Sequence, residues 1–187
     1  MKATGIFRRI DELGRIVIPK EIRKNLKIRE GDNIEIYIND KEEIILRKYS
    51  SLKNVKDFAQ RFTDSISSLL KTNVFITDKD HIIAASGNLK KFYIDKDLSP
   101  DLLSYIERRI SILENHNKKI SIVLDFPIDA TYCIEPIIVN GDAIGLFIIL
   151  SDENIVGSID EKIAKIGSGF FQKYLEEWFK LCYNHIN

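Results

Sequence analysis

The chain has 187 residues, 44% of them hydrophobic and 30% charged, with 28 Lys+Arg balanced by 28 Asp+Glu. That composition excludes a disordered polyelectrolyte, and no apolar run approaches the roughly 18 residues of a membrane helix. Cys133 and Cys182 lie too far apart for a disulfide framework or zinc ribbon, and the opening Met1-Lys2-Ala3-Thr4-Gly5 lacks the apolar stretch of a leader, so a cytoplasmic protein is expected.

The zero net charge conceals an asymmetry. Residues 1–29 hold nine basic side chains (Lys2, Arg8, Arg9, Arg15, Lys20, Arg23, Lys24, Lys27, Arg29) against Asp11, Glu12 and Glu21. Five of the nine are arginine, whose planar fork suits phosphates and guanine edges. A cationic module joined to an acidic remainder is the pattern of a DNA-binding domain with a separate sensory or assembly domain.

Residues 4–10 read as a strand with Ile6, Arg8 and Ile10 on one face, and Asp11-Glu12-Leu13-Gly14 reads as a turn needing positive φ at Gly14. Residues 15–18 are a second, β-branched strand. Pro19 stops it and suits the first position of a short helix over 19–26, with Ile22 and Leu26 facing inward. Gly31-Asp32 turns the chain into the alternation Ile34, Ile36, Ile38, and Asn39-Asp40 leads into a last strand at 43–47. A unit of about fifty residues without disulfide or metal buries too little surface to be secure alone, and its edges invite pairing. Two copies sharing one core is the economical solution, so an obligate homodimer is expected.

The run Thr4-Gly5-Ile6, Arg8-Arg9-Ile10-Asp11-Glu12-Leu13-Gly14-Arg15-Ile16-Val17-Ile18-Pro19-Lys20-Glu21-Ile22-Arg23 closely resembles the N-terminal signature of the SpoVT/AbrB family of transition-state regulators. The resemblance covers residues 1–50 and implies a swapped-hairpin β-barrel formed by two chains, binding double-stranded DNA through a few arginines. By position these are Arg8, Arg15 and Arg23, with Lys24 where the regulators often have a further arginine; Arg9 and Lys2 add phosphate charge. The alternative is structural: Arg8 held by Asp11, and Arg23 by carboxylates near Glu21. Asp11 itself is expected to shape the loop. The same module occurs in antitoxins, which offer an alternative function, but their tails are short, whereas most of this chain follows the module.

Ser50-Ser51 marks a boundary. Leu52, Val55, Phe58, Phe62, Ile66 and Leu69 form a helical stripe of about five turns, assigned to a linking helix over 51–70. Strands follow at 73–78 and 81–87, then helix between 90 and 109, broken at Ser99-Pro100 with Ser99 as N-cap. The turn Asn140-Gly141 joins strands at 131–139 and 143–150. A final helix is capped by Ser158 with Glu161 three on, its apolar face being Ile159, Ile163, Ile166, Phe170, Tyr174 and Trp178.

This order is α+β, an antiparallel sheet covered by helices. Residues 71–187 resemble a GAF-type sensor domain, chiefly through Pro136-Ile137 and Gly141-Asp142-Ala143-Ile144-Gly145. Taken together, the two halves are similar to the sporulation regulators of the SpoVT/AbrB family, in which the tail is a GAF domain and the protein a tetramer. That implies a nucleoid-associated regulator of sporulation-stage genes, with Leu52, Val55, Phe58, Phe62, Ile66, Ile163, Ile166, Phe170, Tyr174 and Trp178 as the oligomer interface. His81, His116 and His185 have no partner at ligand spacing, and no phosphate loop or nucleophile elbow is present. No metal, no cofactor and no enzymatic activity are expected, and a small-molecule ligand of the tail is left open. Asp78 and Asp80 read as turn formers, and Cys133 as a core residue.

Overall fold

The computed structural model describes residues 5–184, which divide into two compact units, Met1–Tyr49 and Ser50–Asn187. Lys2 lies outside the described residues.

In the first unit, residues 5–11 and 15–18 form no ladder among the described residues, although two strands are expected there. A strand exists only through a partner strand's ladder, and among the described residues no strand pairs with this segment. The reversal is closed: Asp11 N–H donates to Arg15 O at 3.1 Å and Gly14 N–H to Asp11 O at 3.0 Å, with Gly14 at φ +74°. Pro19 is buried and stands just before helix α1 (Lys20–Asn25), one place earlier than expected. Strands β1 (Ile34–Ile38) and β2 (Ile44–Lys48) pair antiparallel, Ile36 opposite Leu46.

The apolar side chains of this unit are largely uncovered. Phe7 is 90% exposed, Val17 72% and Ile38 77%, and the fully buried apolar core begins only at Leu52. Leu26, expected to face inward, is 54% exposed. The alternation of β1 has made an apolar face that the described residues leave open at Ile36 and Ile38.

The second unit is complete. A 3-10 turn (Ser51–Val55) leads into α2 (Lys56–Leu70). Then come β3 (Asn73–Thr77), β4 (Ile82–Ser86), α3 (Lys90–Tyr93), α4 (Pro100–Arg108), β5 (Ile112–Ser121), β6 (Pro127–Val139), β7 (Asp142–Ser151) and α5 (Ser158–Asn184). The five strands form one antiparallel sheet in the order β4-β3-β7-β6-β5. β7 is central and Leu146 to Leu150 are all fully buried, because both faces of the sheet are covered. Val74, Ile76, Cys133, Phe147 and Ile149 pack with Ala59 of α2 and Phe171 and Leu175 of α5. Phe75, Tyr132, Ile134, Ile148 and Leu150 face the other way, toward Tyr93, Leu102 and Ile106.

Local chemistry places these elements. Ser99 Oγ accepts the Leu102 N–H at 3.3 Å, the expected cap of α4. Asn140 (φ 49°) and Gly141 (φ 86°) make the two-residue turn between β6 and β7. A Cβ on Gly167 would lie 2.7 Å from the Phe147 ring, so α5 approaches the sheet closely only because that residue is glycine. At the start of α5 the cap falls one residue early: Gly157 N–H donates to Asp160 Oδ2 at 2.8 Å, while Glu161 pairs with Lys165.

Two readings need correction. β5 was not anticipated, and it makes the sheet five-stranded. The stripe from Leu52 is not one helix, and Leu52 and Val55 are 1% and 5% exposed in the core of their own chain, so neither can line an interface. The last helix seats Ala164, Ser168, Phe171 and Leu175 on the sheet, leaving Ile159, Ile166, Phe170 and Trp178 exposed. Phe58, Phe62, Ile66, Ile163 and Tyr174 are half-buried at the contact between α2 and α5. There the Phe58 and Tyr174 rings stack at 5.0 Å and those of Phe62 and Phe170 at 5.3 Å.

Candidate nucleic-acid interface

Arg8, Arg9, Arg15, Arg23 and Lys24 are all exposed. Arg8 and Arg9 sit on the extended segment before the Asp11 turn, and Arg15 directly after it. Arg23 and Lys24 occupy the last turn of α1, where positive charge favours the helix end.

The turn is held by one side chain. Asp11 Oδ1 accepts the N–H groups of Leu13 (3.0 Å) and Arg15 (2.8 Å), and Oδ2 accepts Arg15 Nε–H at 2.7 Å. The Arg15 backbone N–H, then its guanidinium, and the Leu13 N–H together hold the Asp11 carboxyl below its ordinary range. Asp11 therefore pairs with Arg15 and not with Arg8, whose guanidinium donates to the Phe7 carbonyl at 2.9 Å. The ion pair was legible in principle, since Asp11 and Arg15 flank a tight turn that brings them face to face. Lys48 is turned away from any such surface: its ammonium pairs with the buried Asp32 carboxylate at 3.0 Å and donates to the Lys27 carbonyl at 2.8 Å.

In the second unit Asp78 acts as a turn former. Its Oδ1 accepts the N–H groups of Asp80 and His81, each at 2.7 Å, and Oδ2 accepts Ser50 Oγ–H at 3.0 Å. The fold does bring His81 within 4.8 Å of Asp78 and Asp80, a grouping that ligand spacing along the chain did not suggest. His81 Nε2 lies 3.1 Å from Asp97 Oδ1. Cys133 is buried under α5, and burial pushes its thiol up to about 12, which suits a core residue and not a reactive thiolate. Among the described residues no helix is long and apolar enough to cross a membrane.

Comparison with known proteins covers both units. The family described as "Stage V sporulation protein T C-terminal, transcription factor" matches residues 54–176, and that described as "Antidote-toxin recognition MazE, bacterial antitoxin" matches residues 7–54. The chain is 42% identical over 178 residues to stage V sporulation protein T of Bacillus subtilis, covering 95% of this chain and 100% of that protein. The solution structure of the N-terminal DNA recognition domain of the Bacillus subtilis regulator AbrB is 60% identical, covering 27% of this chain and 92% of that one, with a TM-score of 0.24. The cofactor-binding GAF domain of the nutrient sensor CodY from Clostridium difficile covers 80% of this chain and 89% of that one at 12% identity, with a TM-score of 0.45.

Proposed function

The chain belongs to the stage V sporulation protein T family of DNA-binding transcription regulators, and from that premise we propose how its parts divide the work. Residues 1–50 bind DNA as one half of a swapped-hairpin barrel shared by two copies. Residues 51–70 connect, and the GAF-like residues 71–187 sense and assemble. The observation that carries the regulator reading is the 42% identity running through both units. The antitoxin alternative has the match over 7–54 in its favour, but it leaves the second, fully cored unit without a role. A regulator of this class works on the nucleoid in the cytoplasm, and neither catalysis nor a bound cofactor enters its action.

Arg8, Arg15, Arg23 and Lys24 are the contacts we assign, with Arg9 adding charge; Lys2 is assigned on its position in the sequence alone. Their exposure and the cationic balance of the segment support this. Two copies would neutralise about eight phosphates, so log affinity against log salt should slope at about −7. Such side chains on a barrel reach few base edges, so specificity should lean on DNA shape and A·T-rich flexibility.

The exposed stripe Ile159, Ile166, Phe170 and Trp178, rimmed by Phe58, Phe62 and Ile66, is the surface through which two such dimers would join as a tetramer. A small molecule that altered the packing of α2 on α5 would then alter how two basic surfaces meet one DNA. Gel shifts of the full chain on promoter fragments at two salt concentrations test the first claim; a slope near −2, or equal affinity for all duplexes, would defeat it. Light scattering tests the second, where a full-length dimer would be fatal.

A further inference from the structure

The Asp11 carboxylate holds Arg15 at both ends of its stem. One oxygen takes the Arg15 backbone N–H at 2.8 Å and the other takes Nε–H at 2.7 Å, while the Leu13 N–H fastens the carboxylate itself. The Arg15 side chain is nonetheless 71% exposed. With Nε engaged, its two terminal nitrogens donate to no other group among the described residues. Those nitrogens form the end-on fork that grips a phosphate or the O6 and N7 of guanine. Arg8 gives a terminal nitrogen to the adjacent Phe7 carbonyl instead, and among the described residues Arg9, Arg23 and Lys24 carry no such tether.

We propose that Asp11 is a positioning residue for sequence discrimination, clamping Arg15 so that its terminal fork stands ready before DNA arrives. The inference rests on the reading of Arg15 as a DNA contact. A free arginine loses rotamer freedom when it docks, and the clamp removes much of that loss for one geometry only. The carboxylate also repels phosphates, a cost levied on every sequence alike. Asp11 thus favours cognate DNA by pre-setting the fork and disfavours the rest by charge, and discrimination is the ratio of the two affinities.

The test uses the full-length chain, a promoter duplex selected by that chain from a random pool, and an unselected duplex of equal length. Asp11→Asn keeps an oxygen for the two backbone N–H groups but cannot accept Nε–H as a carboxylate does. Its affinity for the selected duplex should fall about tenfold. Affinity for the unselected duplex should stay level or rise, with the salt slope unchanged. A parallel change on both duplexes would overturn the proposal, since a loop defect or a bare charge effect moves both together. Arg15→Lys leaves the Asp11 turn intact and removes the tether, so it tests the same point if the Asn variant folds poorly. The double variant should discriminate no worse than Arg15→Lys alone, and additive losses would overturn the clamp. Arg15→Ala separates the premises. Wild-type affinity there would take down the DNA-contact reading itself. Lost affinity there, with discrimination intact in Asp11→Asn, would take down the clamp alone.

Discussion

The two units of this chain use similar residues to opposite ends. Both are rich in isoleucine, spaced by polar residues along β1 and set in an unbroken apolar run from Leu146 to Leu150 along β7. In the second, α2, α3, α4 and α5 cover both faces of a five-stranded sheet, and Phe75, Ile76, Phe147 and Ile148 reach zero exposure. In the first, one short helix and one hairpin leave Phe7, Val17, Ile36 and Ile38 in the open. The lesson is that a strand pattern declares a buried face without saying whose chain will bury it.

The sharpest way to break that comparison is Ile36→Asp. Ile36 is 66% exposed in the single chain, and an ordinary surface position tolerates such a change to within about 0.5 kcal/mol. If the face lies inside a shared core, the dimer should dissociate and DNA binding should drop to background, as read by size-exclusion and gel shift. Retained binding would mean that the first unit stands alone.

The converse experiment is Phe171→Ala. Phe171 is fully buried within its own chain, so the loss should be about 3–5 kcal/mol and independent of protein concentration. Calorimetry should show the transition of the second unit falling while dimeric DNA binding persists. Ile166→Glu should be gentler. Ile166 is 69% exposed, so the fold of the tail should hold, whereas light scattering should shift from tetramer to dimer. Affinity for DNA long enough to engage two dimers should then fall about a hundredfold as the second contact ceases to be intramolecular. An unchanged mass would remove the stripe as an interface.

The smallest effect belongs to the Asp11 turn. Its carboxyl is held below the ordinary value of 3.8 in the folded chain, first by the Arg15 N–H groups. A depressed carboxylate stabilises above the unfolded value and loses that contribution as pH falls through the folded one. The turn should therefore be unaffected from neutrality down to about pH 5 and loosen only in stronger acid. Carboxyl NMR should place the Asp11 midpoint below that of an unpaired aspartate, and a midpoint above it would contradict the bonding seen.

Much of this architecture was readable in the chain, and what escaped has physical causes. Asn140-Gly141 and Ser99-Pro100 act through local chemistry, so their turn and cap were visible in a few letters. β5 was not, because its centre reads Glu114-Asn115-His116-Asn117-Lys118-Lys119 and the pairing with β6 is interrupted between Glu114 and Lys118. An edge strand facing water needs charge more than alternation, and charge carries no period. Leu52 and Val55 escaped differently: spacing shows that they share a face, but only the sheet above them shows that the face is taken. The DNA-contact candidates were legible as charge and motif. The tie between Asp11 and Arg15 had a signal in the tight turn they flank, but that Oδ2 meets Nε shows only in three dimensions.

The unladdered segment at 5–18 has a consequence in time. Ribosomes add about 5–20 residues per second, so the rest of the chain emerges over roughly seven to twenty-eight seconds after the first unit. The second unit can collapse at once on its own core. If the first closes by meeting another copy, its folding should be a second-order reaction whose half-time lengthens as the protein becomes scarce, which refolding at two protein concentrations would show. The arginines and lysines that crowd residues 1–29 would act during such a wait as well, keeping unpaired isoleucine strands from the wrong neighbours by mutual repulsion. A cell that made little of this protein would then set not only how much DNA is occupied but how long each new chain takes to become able to occupy it.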